Sequence, residues 1–176
     1  MTAPHHPAAL PEERLLAECE LHRTRRSGPG GQHRNKVETA VCVEHQPTGI
    51  SAEASERRSQ AENRDVALFR LRLRLAVEVR HPLTTPYNAS PLWRSRCRGG
   101  KIAVNSSHDD FPAILCEALD VAAACDYDVK ASAGILECTL SQLTKLLQQE
   151  PRAIAAVNQA RARTGMRPFH APDEGP

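Results

Sequence analysis

The six residues Ser27-Gly28-Pro29-Gly30-Gly31-Gln32 are the part of this sequence whose types and order fit a chemical task. Glycine reaches positive φ without a steric penalty and lets a backbone come close to another molecule. Pro29 fixes its own φ and stiffens the approach to the Gly30-Gly31 pair. A backbone freed in this way can aim N–H groups at an anion, or at the oxyanion that develops when an acyl group is attacked. Gln32 adds a side-chain amide, which is no general base but can orient a water or a hydroxyl. Ser27, Gly28 and Pro29 serve as loop support, and Gly30, Gly31 and Gln32 are the candidate catalytic residues. Arg25 and Arg26 precede the loop and Arg34 and Lys36 follow it, an arrangement suited to insertion between phosphates. A lone Gly-Gly-Gln would read as a glycine turn beside a solvated charge run, so the elements around it must decide.

Those elements are those of a small α+β domain. Residues 1–11 carry three prolines and read as a loose arm. A short helix from Glu12 gives way to an extended segment over Glu20–Arg26. After the loop, Ala40–Glu44 alternates as a strand, Pro47-Thr48-Gly49 marks a turn, and Ile50–Ala54 reads as the return strand. Ser55 is the expected cap of a long helix over Glu56–Arg80. Its apolar stripe is Val66, Phe69, Leu73 and Val77, widened by Leu68, Leu71 and Leu75. Arginines decorate the same segment, and Pro82, Pro86 and Pro91 end it. The rest reads as all-helical, with helices over Phe111–Cys125 (capped by Asp109/Asp110), Asp128–Leu136, Ser141–Gln149 and Pro151–Thr164. Ala131 to Leu143 loosely resembles a helix-turn-helix, but Glu137 stands where the tight turn usually wants glycine. A plain helical bundle is the reading taken. The expected organisation is a flexible arm (1–18), a domain carrying the loop (19–81), a linker (82–107), a small all-α domain (108–168) and a tail (169–176). The first domain is expected to be a small mixed β-sheet packed on the long helix.

Charge divides the same way. Residues 1–100 hold 16 Lys+Arg against 11 Asp+Glu, and residues 101–176 hold 7 against 10. The first half is therefore the one expected to meet a polyanion. Aromatic residues are only 3% of the chain, so the core must come from Leu, Val, Ile and Ala. None of the six cysteines sits in a CxxC or Cys/His pattern, which leaves no metal set; they read as reduced, mostly buried small hydrophobes. No secretory signal and no apolar run of membrane length is visible, so a cytoplasmic protein is expected.

The stretch from about Glu20 to Val79 resembles the catalytic domain of class I peptide chain release factors. The resemblance is carried by three runs. The first is Ser27-Gly28-Pro29-Gly30-Gly31-Gln32-His33-Arg34-Asn35-Lys36-Val37-Glu38-Thr39-Ala40. The second is His45-Gln46-Pro47-Thr48-Gly49-Ile50. The third is Glu56-Arg57-Arg58-Ser59-Gln60-Ala61-Glu62-Asn63-Arg64. This resemblance implies that the GGQ loop enters the peptidyl transferase centre of the ribosome. There the backbone N–H of Gln32 would stabilise the oxyanion and the leaving ribose, and its side chain would help position the hydrolytic water. Peptidyl-tRNA is then the substrate, no cofactor or protein-bound metal is needed, and Arg25, Arg26, Arg34, Lys36, Arg57, Arg58 and Arg64 are the candidate ribosomal RNA contacts.

About 20 residues precede the matching stretch, too few for a codon-reading domain, so the codon-independent, ribosome-rescue branch of the family is expected. Members of that branch often end in a Lys/Arg-rich tail. Here Ala162–Pro176 holds only Arg163 and Arg167 and closes on Asp173 and Glu174. Arg94, Arg96, Arg98 and Lys101 are a candidate substitute, and the helical domain could engage a helper protein. The alternative function is a non-catalytic ribosome- or RNA-binding protein that retains the fold, against which the intact Gly30-Gly31-Gln32 speaks.

Overall fold

The structure is a computed structural model that describes residues 6–24, 40–83 and 86–169. It divides into two compact units: Pro7–Leu75, and the residues from Ala76 onward together with His6.

The first unit runs through a 3-10 turn at Pro7–Ala9, α1 (Glu12–Ala17), β1 (Cys19–Thr24), β2 (Ala40–His45), β3 (Ile50–Ala54) and most of α2 (Gln60–Glu78). The expected α+β class holds. Within it the sheet, in the order β1-β2-β3, is antiparallel throughout rather than mixed. Four residues join β2 to β3, far too few for the crossover that parallel strands need. Gly49, at φ +68°, supplies the left-handed step that closes this turn. β2 has the period of a half-buried strand: Val41, Val43 and His45 point inward, while Cys42 and Glu44 are half-exposed.

Helix α2 starts later than expected, because the four residues before it form a bend. Ser59, not Ser55, precedes it, and Ser59 Oγ accepts from Glu62 N at 3.5 Å, with Glu62 in the capping-box position. The buried stripe also differs. Ala67, Leu68, Leu71, Leu75 and Ala76 are buried, whereas Val66, Phe69, Leu73 and Val77 are half-exposed. Two apolar rows lie side by side on this helix. Small alanines flank the Leu68-Leu71-Leu75 row and let it approach neighbours closely, a feature that counting large apolar residues misses. Three of its arginines serve the unit itself. Arg70 donates to the Glu53 carbonyl at 2.8 Å and to Glu56, Arg74 donates to the Ser51 carbonyl, and Arg72 to the Ala8 carbonyl at 3.0 Å. β3 is an edge strand, so the Arg70 and Arg74 guanidinium groups satisfy backbone of β3 that would otherwise face water. The segment read as a loose arm is packed from His6 onward, since Ala8, Leu10 and Leu15 are buried.

The second unit holds α3 (Pro91–Arg96), a two-stranded hairpin of β4 (Cys97–Arg98) and β5 (Lys101–Ile102), then α4 (Phe111–Ala124), α5 (Val129–Ile135), α6 (Leu140–Gln148) and α7 (Pro151–Arg163). The last four helices follow the expected spans closely, but the expected side-chain cap of α4 is not made, because the Asp110 carboxylate accepts from Arg96 instead. Asp128 caps α5, Thr139 caps α6 and Glu150 caps α7, and Pro112 and Pro151 stand in first turns. Residues 82–107, expected to be a linker, are largely built into the fold. Ser90 caps α3, with Pro91 in its first turn, and Trp93 is buried with its indole N–H on the Leu136 carbonyl at 2.9 Å. Glu117 on α4 receives the Tyr87 hydroxyl, the Ser90 N–H at 2.7 Å and the Ser90 hydroxyl at 2.5 Å.

All six cysteines are free. Only Cys116 is buried, and the other five are half-exposed, more than their apolar character suggests.

Candidate functional site

Thr24, the last residue of β1, is the register partner of Ala40, the first residue of β2. The connection of residues 25–39 therefore leaves and re-enters the sheet at adjacent positions, which antiparallel pairing holds about 4.5–5.5 Å apart at Cα. Connections of this length inside a compact domain are usually functional. Ser27, Gly28, Pro29, Gly30, Gly31 and Gln32, with Arg25, Arg26, Arg34 and Lys36, belong to it and lie outside the described residues.

What is described is the frame. β3 runs antiparallel to β2, with Ala54 opposite Val41, so the chain leaves the sheet at the same end as the two loop stems. Arg57 and Arg58 follow within four residues, both exposed, and their guanidinium groups have no partner among the described residues. Asn63, fully buried, holds them there. Its Oδ1 accepts from Arg57 N at 2.9 Å and its Nδ2 donates to the Arg57 carbonyl at 3.0 Å. Arg64 differs from that pair: it forms an ion pair with Glu12 at 3.0 Å, half-exposed on both sides and thus worth little to the fold.

The opposite end of the sheet is locked. His45 is buried, with Nε2 3.0 Å from Glu18 Oε2 and Nδ1 2.8 Å from Thr48 Oγ1. The Glu18 carboxylate can only accept, which places a proton on Nε2. Gln46 N donates to the Glu18 carbonyl at 2.9 Å. The His45-Gln46-Pro47-Thr48-Gly49 run is thus a structural clasp that fixes strand register, far from the loop stems. Asn63 and Glu18 are the positioning residues that sequence reading did not single out. Asn63 belongs to the Glu56–Arg64 run, where no spacing pattern points to Arg57 as its partner, and nothing in the sequence near Glu18 marks its partner 27 positions away.

Nothing in this frame supplies a thiol nucleophile. Burial, aided by the neighbouring Glu18, pushes the Cys19 thiol up to about 11, and burial also raises Cys42. Among the described residues no group of three or more His, Cys, Asp or Glu is placed to hold a metal ion, and no helix is long and apolar enough to cross a membrane.

Residues 15–91 match the family model of the RF-1 domain. The chain is 47% identical over 68 residues to a chloroplastic peptide chain release factor, PrfB1, of Arabidopsis thaliana, covering 39% of this chain and 14% of that protein. It is 57% identical over 59 residues to peptide chain release factor 2 of Variovorax paradoxus, covering 34% and 16%. It is 44% identical over 73 residues to a mitochondrial peptide chain release factor 1-like protein of Mus musculus, covering 41% and 20%. The chain thus spans a fifth or less of the length of these relatives. The β1–β2–β3 sheet, its loop stems and α2 all fall within the matched segment, so it is residues 15–91 of this chain that are similar to the RF-1 domain and to peptide chain release factors.

Proposed function

We propose that this protein hydrolyses the ester bond of peptidyl-tRNA on the ribosome without reading a stop codon, as a ribosome-rescue factor acting in the cytoplasm. The observation that carries the reading is the Thr24–Ala40 pairing, which closes a connection containing Gly30-Gly31-Gln32 at the end of the sheet where Arg57 and Arg58 also emerge. Arg25, Arg26, Arg34 and Lys36 in the sequence of that connection, with the exposed Arg57 and Arg58, make six cations that suit insertion among ribosomal RNA phosphates. Arg64 would join them only by leaving Glu12.

In this mechanism the glycines let the backbone N–H of Gln32 reach the developing oxyanion, and the Gln32 side chain orients the attacking water. The ester C–O bond breaks, the peptide leaves as a carboxylic acid, and the tRNA ribose recovers its hydroxyl. Losing one such oxyanion donor costs on the order of a hundredfold to a thousandfold in rate. The helical unit, which the family model does not cover beyond residue 91, is where we place selection of the ribosome, either directly or through a helper protein.

The test is peptide release from purified ribosomes carrying peptidyl-tRNA, with an empty A site, a stop codon or a sense codon. Release should proceed on all three at comparable rates. Gly30→Ala and Gly31→Ala should abolish it while ribosome binding persists. Release confined to the stop codon removes the codon-independent part, and wild-type release by both glycine variants removes the catalytic part.

A further inference from the structure

Arg98 and Lys101 are cross-strand partners on either side of the Gly99-Gly100 turn. Both glycines have positive φ, +56° and +76°, the primed turn form that two-residue hairpins favour. Like charges directly opposite each other destabilise an antiparallel pair. Neither side chain here has a partner among the described residues, and both are exposed. Arg96 behaves otherwise: its Nε and Nη2 donate to Asp110 Oδ2 at 2.8 and 2.6 Å. This segment therefore commits one arginine to its own fold and leaves Arg94, Arg98 and Lys101 exposed. Lys145 extends the group. Ile102 N donates to Gln142 Oε1 at 3.1 Å, which seats β5 on α6, and exposed Lys145 lies one helical turn beyond Gln142. A cavity of about 300 Å³ lies against the Gly99-Gly100 turn, lined by Tyr87, Arg94, Gly99, Gly100, Ile135 and Glu137 among others, so that Arg94 is the one of these four cations in its lining. A Cβ on Gly99 would meet nothing within 4 Å, while the Gly100 carbonyl accepts from Thr139 N at 3.1 Å, so the turn is anchored at Gly100 and open at Gly99.

We infer that Arg94, Arg98 and Lys101, with Lys145 at the edge, form a binding surface for single-stranded RNA on the second unit. The facing Arg98 and Lys101 have no internal charge to relieve their repulsion, and phosphates supply it. The cavity beside them takes a base splayed out of a strand, which a paired helix cannot offer. Glu137, the acidic group at that cavity, repels phosphate but accepts hydrogen bonds from base amino groups. Arg96, a candidate on sequence grounds, is excluded by its bond to Asp110. This surface belongs to the second unit and does not depend on the catalytic reading.

The experiment is fluorescence anisotropy of the full chain with a labelled single-stranded RNA of about 20 nucleotides over a salt series, long enough to span several phosphates. It is run in the wild-type and Arg57→Gln/Arg58→Gln backgrounds, so that cations of the first unit do not mask the effect. The triple variant Arg94→Gln/Arg98→Gln/Lys101→Gln should bind about tenfold or more weakly, and its slope of log K against log salt should fall by about 2. Unchanged affinity and slope in both backgrounds overturn the inference. So does tighter binding of the duplex form of the same RNA, or displacement of the RNA by poly-glutamate as effectively as by unlabelled RNA, which would make an acidic protein the partner. Binding to free RNA is read throughout, so the outcome is independent of whether Gln32 acts in peptide release.

Discussion

The side-chain amide of Asn63 closes on the backbone of Arg57 from both sides, accepting from its N–H and donating to its carbonyl. One buried side chain thus sets the path of the chain from the sheet into α2 and carries Arg57 and Arg58 at the loop end of the domain. Asn63→Ala removes both bonds and leaves a half-buried backbone unsatisfied, at a cost of about 1–3 kcal/mol. Thermal melting should show this loss, and ribosome binding should weaken although neither arginine is altered. Asn63→Asp keeps the acceptor and loses the donor, so it should fall between the two. Melting and binding of Asn63→Ala at wild-type levels would show that the bend holds itself.

The sequence made β1, β2, β3, the turn at Gly49 and the spans of the last four helices legible, because each is written locally: period-two alternation, a glycine at a left-handed step, and proline in a first turn as at Pro151. It did not make the Ser90–Ile102 segment legible. Three prolines suggested a linker, while the element's stability comes from Trp93 on Leu136 and from Ser90 on Glu117, 43 and 27 positions away. Within the 57–80 segment the resemblance singles out Arg57, Arg58 and Arg64 for RNA, and Arg70 and Arg80 read as a solvated face. Their fates separate only in three dimensions: Arg70, Arg72 and Arg74 bind backbone carbonyls, Arg80 binds Asp120, and Arg57 and Arg58 are left for solvent.

Glu117 tests whether the Tyr87–Arg96 segment is part of the second unit's fold. Its carboxylate receives three donors from Tyr87 and Ser90. Burial, and then the carboxylate itself, push the Tyr87 hydroxyl well above its ordinary range, so it stays a donor. Glu117→Ala should cost about 3 kcal/mol, as expected when a partner is removed from a partly buried network, and Glu117→Gln about half that. Amide exchange should then speed up across α3. Exchange that accelerates nowhere in α3 would return this segment to the status of a linker.

The second unit also holds two buried groups whose titrations oppose each other. Burial lowers His6, hydrogen-bonded to the Val79 carbonyl, to about 4, and raises Asp120, which accepts from His81 N and pairs with Arg80, to about 6. As pH falls from about 6.5 to 4, the unfolded chain takes up a proton at His6 that the folded chain refuses, so stability is lost. Between about 6 and 4 the folded chain takes up a proton at Asp120 that the unfolded chain does not, so stability is gained. Asp120→Asn should therefore steepen the fall in Tm between pH 7 and pH 4.5, and His6→Gln should flatten it. Thermal melts of the two variants and the wild type are the measurement, and equal falls in all three would contradict the compensation.

Glu137 occupies the turn between α5 and α6 at φ +54°, the left-handed conformation that the sequence pattern reserves for glycine. A non-glycine residue there costs roughly 1–2 kcal/mol in backbone sterics. Glycine removes that cost but adds freedom to the unfolded chain, roughly 0.4–1 kcal/mol in the other direction. The Glu137 side chain is exposed, so nothing packed is lost with it. Glu137→Gly should thus raise stability by about 0.5–1 kcal/mol, read as an increase in Tm. The same change deletes the acidic group at the cavity beside Arg94. RNA held mainly through phosphates should then bind more tightly, whereas RNA held by a base on the Glu137 carboxylate should bind more weakly despite the more stable fold. Opposite movement of Tm and affinity in this one variant would therefore mark Glu137 as a residue kept in a strained turn for its contact with the ligand.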